Sequence, residues 1–306
     1  MNDPAPRRLR FLIIHNPHAG VARNTLLADV VAALQQAGAT VTLEAAESAA
    51  EDRQIVAQAL RARAFDAIVA AGGDSTIRAV ASGLVGMGMP LGIIPSGTGN
   101  VLAEELRLAR KTADVSRCLL SGEVMNFFPG SANGEIFLSM AGAGFDAGVL
   151  KRLDQRLKRR MGKLAYALPI ARALWSKRRR FEVLIDDKVH ACSWLLVMRG
   201  AHYAGSFVVA PRQSLSQLSF QALLIDAPNP LSLGSVLAAI SLGAAHRHPR
   251  VKCVSCRDIS LAAAPPDGVQ LDGEPIECSS LALSLEPRPL SLIVPSGFTS
   301  VAASEG

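Results

Sequence analysis

The sequence predicts an α/β protein, in which an N-terminal parallel-sheet domain is followed by a β-rich sandwich domain. In the first third of the chain, apolar runs rich in β-branched residues alternate with helical segments, which is typical of βαβ units. In the remainder, short strand-like runs follow one another with turn signals between them. Because 49% of the 306 residues are hydrophobic and only 19% are charged, we expect a folded chain and exclude intrinsic disorder.

The elements of the first third follow from their periodicity and their end signals. Short apolar runs bounded by polar turns predict strands, and apolar residues at helical spacing predict the helices between them. The predicted strands cover 10–14, 40–44, 66–71 and 90–95, and the predicted helices cover 24–38, 51–63 and 75–84.

The second half is predicted to be mostly strands. The pair Asn133-Gly134 lies between two strand-like runs and is a strong hairpin signal, and a second hairpin is expected around Asp186-Asp187. A basic helical segment is expected over 151–180, and an apolar helix over 231–245 is expected to be buried. We place the domain boundary near Gly122, which gives domains 1–122 and 123–306. The last apolar run, LSLIVP, is a candidate to return to the first domain.

Charge and cysteine content limit the compartment and the partners. The formal net charge of +6 favours anionic partners, such as nucleic acid, a membrane surface or phosphate-bearing ligands. Five cysteines, an odd number in a long chain, do not form a disulfide framework and indicate a reducing compartment. The first residues lack the pattern of a signal peptide, and no apolar stretch reaches the ~18 residues of a spanning helix. We therefore expect a cytoplasmic protein.

Polar, glycine-containing loops follow three of the predicted strands: NPHAG (16–20), GGDST (72–76) and SGTGN (96–100). The carboxyl ends of parallel strands share one sheet edge, where ligands of such sheets bind. Glycine lets the backbone approach a ligand, and a helix that follows offers N–H donors. A tight turn with an N-cap explains the middle loop equally well when that loop is taken alone. A phosphate-rich nucleotide explains all three loops together, although the P-loop and dinucleotide fingerprints are absent.

Five motifs in order, NPHAG, GGDSTIRAVASGL, PSGTGNVLA, GAGFDA and LDGEP, resemble the diacylglycerol kinase catalytic-domain family. That family includes bacterial lipid kinases and the sphingosine and ceramide kinases. The resemblance extends over nearly the whole chain. It implies an α/β nucleotide domain and a β-rich domain with the active site in the cleft between them. The implied activity is ATP-dependent phosphorylation of a lipid hydroxyl, with Mg²⁺.

The resemblance also implies roles for individual residues. Asp74 could hold Mg²⁺ or orient a water around it, and as a turn carboxylate we expect it to contribute little to the fold. Asp272 or Glu274, both in LDGEP, would accept the proton of the lipid hydroxyl, whereas a plain turn with exposed acids is the alternative. No other metal ligand is identified. The ATP phosphates would be held by Asn16, Pro17, Gly20, Gly72, Gly73, Asp74, Ser75, Thr76, Gly97 and Thr98.

Two departures from the family pattern bear on activity. Ser75 stands where the family usually has glycine, and a serine would be strained there if the position required a positive φ. Family members also tend to carry an acid that helps to bind a structural Mg²⁺ in the second domain. The corresponding stretch here, SLSQLSF (214–220), has no acid.

The segment from Lys151 to Arg180 holds twelve Lys or Arg residues and one acid, Asp154, with apolar residues between the basic clusters. We expect it to bind an anionic membrane surface, which would make the protein peripherally membrane-associated. A solvated helix is the plainer alternative, and nucleic-acid binding is disfavoured.

The leading functional hypothesis is an ATP-dependent kinase of a diacylglycerol-like or sphingoid lipid. An NAD kinase shares the GGD motif but is disfavoured by SGTGNVLAEEL. A nucleotide- or lipid-binding protein without turnover is the alternative from another class.

Overall fold

The structure is a computed structural model that describes residues 7–17, 21–153, 165–175 and 179–299. The described chain divides into two compact units. The first unit runs to Phe128 and also includes the segment that begins at Pro287, and the second unit runs from Pro129 to Glu286.

The first unit is a mostly parallel sheet with helices in its connections, as predicted. Its strand order is β2-β1-β3-β4-β20-β5, and the strands from β2 to β20 are parallel where they pair. The elements are β1 (Arg10–His15), α1 (Val21–Gln36), β2 (Thr40–Ala45), α2 (Ala49–Ala62), β3 (Ala67–Gly72), α3 (Asp74–Leu84), β4 (Leu91–Pro95), α4 (Val101–Glu105), α5 (Thr112–Ser121), β5 (Glu123–Phe127) and β20 (Leu290–Val294).

Burial explains why apolar and polar residues do not alternate along the central strands of this sheet. β3 and β4 are buried at every position, which fits continuous apolar runs covered on both faces. The helix α2 begins where the Ser48 hydroxyl accepts the Glu51 N–H, and it ends at Arg63 in the left-handed conformation.

The first unit extends past the Gly122 boundary that the sequence suggested. β5 pairs antiparallel with β20 along its whole length, so the residues after Gly122 complete the first sheet. The apolar run that forms β20 lies between β4 and β5 in that sheet.

The second unit is a β-sandwich with helices on one side. One sheet has the order β10-β9-β16-β19-β6-β7 and the other has the order β15-β14-β11-β8-β17-β18. The elements are β6 (Gly130–Ala132), β7 (Glu135–Phe137), β8 (Met140–Gly144), α6 (Phe145–Lys151), α7 (Ala167–Leu174), β9 (Phe181–Ile185), β10 (Lys188–Cys192), β11 (Trp194–Met198), β12 (His202–Tyr203), β13 (Phe207–Val208), β14 (Phe220–Ile225), α8 (Pro230–Ser241), β15 (Val251–Cys256), β16 (Ile259–Leu261), β17 (Val269–Leu271), β18 (Glu274–Ile276) and β19 (Leu281–Leu285).

The core of the sandwich joins the two sheets. Phe137 on β7 belongs to one sheet of the sandwich and stacks on Phe220 on β14 of the other sheet, with ring centroids 5.7 Å apart. Both predicted hairpins are confirmed, because positive φ at Asn133 and Gly134, and at Asp186 and Asp187, gives the two-residue turns that match strand twist.

The apolar helix expected over 231–245 is buried on one side only. α8 begins at a capping box between Asn229 and Ser232, and its residues Leu233, Val236 and Ile240 pack on the second sheet. Its ends are exposed, because Leu231 and Leu242 retain 87% and 81% of their surface. The prediction of a buried helix was therefore wrong for the exposed part of α8, since a helix that covers a sheet buries only one stripe of its surface. Within the described ranges, no helix combines the length and the apolar character needed to span a membrane.

Candidate functional site

The three predicted loops follow adjacent strands at the carboxyl edge of the first sheet. β1, β3 and β4 are neighbours, and the register pairs His15 with Ala71 and Gly72 with Pro95. The ends of the three strands are therefore level with one another. Of the NPHAG loop, Asn16 and Pro17 are described, whereas Gly20 lies outside the described residues.

Glycines let the second and third loops touch through their backbones. A Cβ added to Gly97 would lie 2.4 Å from the Cα of Gly73, and a Cβ on Gly72 would lie 2.5 Å from the Oγ1 of Thr76. The Ser96 N–H also donates to the Gly72 carbonyl at 3.1 Å. Close packing thus explains Gly72 and Gly97.

Asp74 fixes the third loop to the start of α3. Its Oδ2 accepts the Asn100 N–H at 2.8 Å, and its Oδ1 accepts the Val101 N–H at 2.7 Å. The expectation that this carboxylate contributes little to the fold was therefore wrong. A turn that looks local in sequence is held to a segment 26 residues away.

Asn100 is an organising residue of this loop that the sequence analysis missed. It is fully buried with a φ of 50°, which asparagine tolerates better than most side chains. Its Oδ1 accepts the Gly97 N–H at 3.0 Å and its Nδ2 donates to the Gly97 carbonyl at 2.8 Å. The available signal was an asparagine directly before a helix in SGTGN. Arg110, also missed, brings its guanidinium 3.4 Å from the Gly97 carbonyl and so places a positive charge beside the loop.

Ser75 is not strained. It lies in the first turn of α3, and its φ is not positive. The strain argument therefore fails, because the position needs no glycine-like backbone. Gly73 is the N-cap residue of α3 and has no side chain that could accept one of the first backbone N–H groups of the helix. Such a helix start can bind an anion.

A cavity of about 460 Å³ lies beside the first loop. Its walls come from the end of β1, from α1 and from the end of β2. The lining residues are His15, Pro17, Leu27, Ala28, Val31, Ala32, Gln35 and Leu43.

The second unit carries the LDGEP carboxylates on the β17–β18 hairpin. Asp272 and Gly273 have φ values of 48° and 83° and form the two-residue turn. The Asp272 carboxylate is buried and accepts the backbone N–H groups of residues 138, 139 and 140 at 2.8, 2.8 and 3.1 Å. Glu274 is exposed. Burial of Asp272 does not fit the alternative of a plain turn with exposed acids, and Glu274 stays a candidate proton acceptor at an exposed position.

A series of buried hydrogen bonds connects this turn to the side chains of Gln270 and Asp146. The Gln270 Nε2 donates to the Asp146 Oδ2 at 2.8 Å, and the Gln270 Oε1 accepts the Gly273 N–H at 2.8 Å. Gly142 lies opposite Gln270 in the ladder, and a Cβ there would lie 2.1 Å from the Asp146 Oδ2. The contact therefore requires a glycine at position 142. Asp146 lies in GAGFDA, but its partner could not be read from that motif.

Burial raises the pKa of Asp146 to about 7, although hydrogen bonds from Gln270 and from the Ala147 N–H act in the opposite direction. The folded chain holds this proton more tightly than the unfolded chain does. Because an unfolded aspartate loses its proton near pH 3.8 and the folded Asp146 only near 7, the free energy of unfolding falls as the pH rises from about 3.8 to about 7 and changes no further above that.

Much of the basic segment from Lys151 to Arg180 lies outside the described residues, namely 154–164 and 176–178. Arg180 forms an ion pair with Asp226, which offsets its charge. Trp175, just after α7, is 81% exposed, and Leu168 on α7 is also exposed. Among the described residues, no three His, Cys, Asp or Glu side chains are grouped to hold a metal ion.

Comparison with known families gives a match to each unit. The diacylglycerol kinase catalytic domain matches residues 10–132, and the YegS C-terminal NAD kinase beta sandwich-like domain matches residues 139–294.

Relatives and solved structures agree with these matches. The chain is 28% identical over 274 residues to a diacylglycerol kinase of Staphylococcus saprophyticus, covering 87% of this chain and 89% of the relative. It is 29% identical over 298 residues to a Pseudomonas aeruginosa protein described as a probable lipid kinase, YegS-like, covering 94% of each chain. A crystal structure described as a diacylglycerol kinase from Bacillus anthracis strain Sterne has a TM-score of 0.72 at 19% identity, covering 94% of this chain and 97% of that one. This last likeness concerns the fold alone.

Proposed function

Because the chain belongs to the diacylglycerol kinase catalytic domain family, with a YegS-type C-terminal domain, we propose that it transfers the γ-phosphoryl group of ATP to a lipid hydroxyl. The observation that carries the proposal is the close backbone contact between the glycine-containing loops that follow β3 and β4, next to the end of β1. The lipid is diacylglycerol-like or sphingoid, and these two classes stay open.

The first unit supplies the phosphate cradle in this proposal. The uncapped start of α3 presents N–H donors to a phosphate, and Gly73 allows close approach. The hydroxyls of Ser75, Thr76 and Thr98, with Asn16, Pro17 and Gly20 of the first loop, complete the proposed set. Asp74 acts by holding the third loop in place. Mg²⁺ enters with the nucleotide, where it would neutralise phosphate charge.

The second unit supplies the proton acceptor in this proposal. Phosphoryl transfer depends mainly on positioning and charge, and the attacking hydroxyl needs a base within hydrogen-bond reach. The LDGEP turn carries two carboxylates, Asp272 and Glu274, on the β17–β18 hairpin. One of them accepts the hydroxyl proton as the oxygen attacks the γ-phosphorus and ADP leaves.

Incubation of the pure protein with labelled ATP, Mg²⁺ and a lipid extract tests the proposal. A labelled product that partitions into organic solvent supports lipid kinase activity. Labelled NADP, formed when NAD is supplied, would instead establish an NAD kinase. Tight ATP binding with neither product would indicate a binding protein without turnover.

The Asp146–Gln270 chain provides a prediction about how the LDGEP turn is positioned. Asp146→Asn leaves one acceptor oxygen for two donors, the Gln270 Nε2 and the Ala147 N–H, so one of these two hydrogen bonds is lost. Gln270→Glu replaces the donor amide with a second carboxylate. We expect either change to lower kcat about 10-fold, because a displaced turn misplaces the base. The double variant reverses the bond: the new amide at position 146 donates to the new carboxylate at position 270, whose other oxygen accepts the Gly273 N–H. We expect it to recover most of the wild-type kcat, whereas additive losses would contradict the positioning role.

Two further measurements separate positioning from simple loss of stability. Hydrogen exchange at the Gly273 amide should accelerate in both single variants and slow again in the double variant. Gln213→Leu is the matched control, since Gln213 is also buried and donates to the Ser219 carbonyl at 2.7 Å. It should lower the unfolding midpoint without changing kcat.

We further propose that the second unit binds an anionic membrane surface through α7 and α8. These helices share one apolar cluster, and the large side chains Leu168, Trp175, Leu231 and Leu242 remain exposed on them or at their ends. Arg172 on α7 and Arg179 are also exposed. Interleaved apolar and basic residues favour the interface of an anionic bilayer, and the proposed substrate is a lipid.

The membrane proposal predicts sedimentation with phosphatidylglycerol vesicles that weakens steeply with salt, and little sedimentation with phosphatidylcholine. The triple variant Trp175→Ser, Leu231→Ser, Leu242→Ser should bind about 10-fold less tightly, because three apolar contacts are lost. Val189→Ser, an exposed apolar residue on β10, is the control and should bind normally. Equal sedimentation of the triple variant and the wild type at low salt would exclude this surface.

A further inference from the structure

A buried arginine organises the loop that leads into β14. Arg199, directly after β11, has no solvent-exposed surface. Its Nη1 donates to the carbonyls of Gln217 and Ser219, each at 3.0 Å, and its Nη2 donates to the Leu215 carbonyl at 3.1 Å. Three carbonyl oxygens of one short loop thus converge on a single positive charge.

This loop is the SLSQLSF stretch, for which the family resemblance implies a structural Mg²⁺. Magnesium requires hard oxygen ligands in near-octahedral geometry, usually including a carboxylate. The stretch offers no carboxylate. Three of its carbonyl oxygens already accept guanidinium hydrogens, so their lone pairs face a cation that belongs to the chain. The residues present therefore do not fit a bound Mg²⁺ at this loop.

We propose that the Arg199 guanidinium takes the place of a structural divalent cation in the second unit. A guanidinium keeps its charge at all accessible pH values, and its planar fork can donate several hydrogen bonds at once. Charge-assisted bonds to three carbonyls offset the cost of burying the charge. The backbone of Arg199 is itself held, since its N–H donates to the Ser139 carbonyl at 2.8 Å. The loop then delivers Phe220 to the sandwich core.

It follows that the fold of the second unit and the phosphoryl transfer reaction differ in whether they need a divalent cation. The fold of the second unit is independent of divalent cations, whereas phosphoryl transfer still needs the Mg²⁺ that accompanies ATP. This separation can be measured without any lipid substrate, and its outcome does not depend on the proposed function.

The test is peptide-resolved hydrogen exchange and thermal unfolding of the full chain in EDTA and in excess Mg²⁺, without nucleotide. We expect the wild type to show the same unfolding midpoint and the same protection over residues 213–225 in both conditions. Loss of protection in this segment on adding EDTA would overturn the proposal, and this arm requires no variant.

Arg199→Met keeps most of the apolar stem and removes the charge, which leaves three carbonyls without these donors, that of Leu215 buried and those of Gln217 and Ser219 partly buried. We expect faster exchange over 213–225 and a lower unfolding midpoint. Arg8→Met is the matched control, because Arg8 is a buried arginine of the first unit that donates to the carbonyls of Leu119 and Gly122. It should accelerate exchange in the first unit and leave 213–225 protected. Wild-type protection of 213–225 in Arg199→Met would overturn the proposal.

Discussion

Neutralising the proton acceptor of LDGEP is expected to lower kcat by about 10²-fold or more, with little change in ATP affinity. Asp272→Asn and Glu274→Gln, made separately, identify the acceptor, since only one of the two should show this loss. The measurement is kcat under saturating lipid and ATP, together with ATP binding by calorimetry. If both variants turn over at the wild-type rate, the LDGEP assignment is wrong.

The structure makes these two variants unequal in their side effects. The Asp272 carboxylate accepts three backbone N–H groups, and an amide at this position would turn its NH₂ toward one of these donors. Asp272→Asn should therefore also lower the unfolding midpoint and speed exchange over residues 138–140, and kcat must be corrected for the folded fraction. Glu274 is exposed, so Glu274→Gln should leave the midpoint unchanged. Glu277→Gln, an exposed acid three residues further on, is its control.

The elements of the first unit were predictable because its signals are local. β3 and β4 are apolar throughout and β1 has a four-residue apolar centre, and each is followed by a loop whose glycines and polar residues are visible in sequence. Parallel topology then places the loops at one edge without any knowledge of contacts. The order of the five motifs pointed to the family that the comparisons show.

The partners of the buried polar groups were not predictable, because they are distant in sequence. Asp146 bonds to Gln270 across 124 residues, and no local spacing links the two. In the sequence, Arg199 is a single basic residue directly after the apolar run WLLVM. Its role depends on a loop that folds back onto it, and the hydrophobic periodicity of the sequence does not indicate such a contact.

The expectation of strain at Ser75 was conditional on a positive φ, and this condition is not met. The family pattern suggested a glycine-specific backbone, whereas helical φ/ψ begins one residue earlier, at Asp74. A residue in the first turn of a helix needs no special φ, so the substitution carries no backbone strain. The exposed ends of α8 were missed because an apolar composition was taken as a sign of complete burial.

Asp74→Asn is expected to lower kcat/KM for ATP by about 10²-fold, through displacement of the SGTGN loop. An amide keeps one acceptor oxygen and turns an NH₂ toward the Asn100 or the Val101 N–H, so one of the two bonds is lost. Misplacing a phosphate-binding loop by about 1 Å can cost a reaction 10²-fold.

The matched control is Asp66→Asn, because Asp66 also accepts two backbone N–H groups, from Leu9 and Arg10, but directly precedes β3, at the opposite edge of the sheet. Both variants should be less stable, by about 1–3 kcal/mol on denaturant unfolding, since each loses a charge-assisted bond. Only Asp74→Asn should weaken ATP turnover and binding. Equal losses in the two variants would mean that Asp74 acts through general stability, and the phosphate cradle would then have to be sought elsewhere.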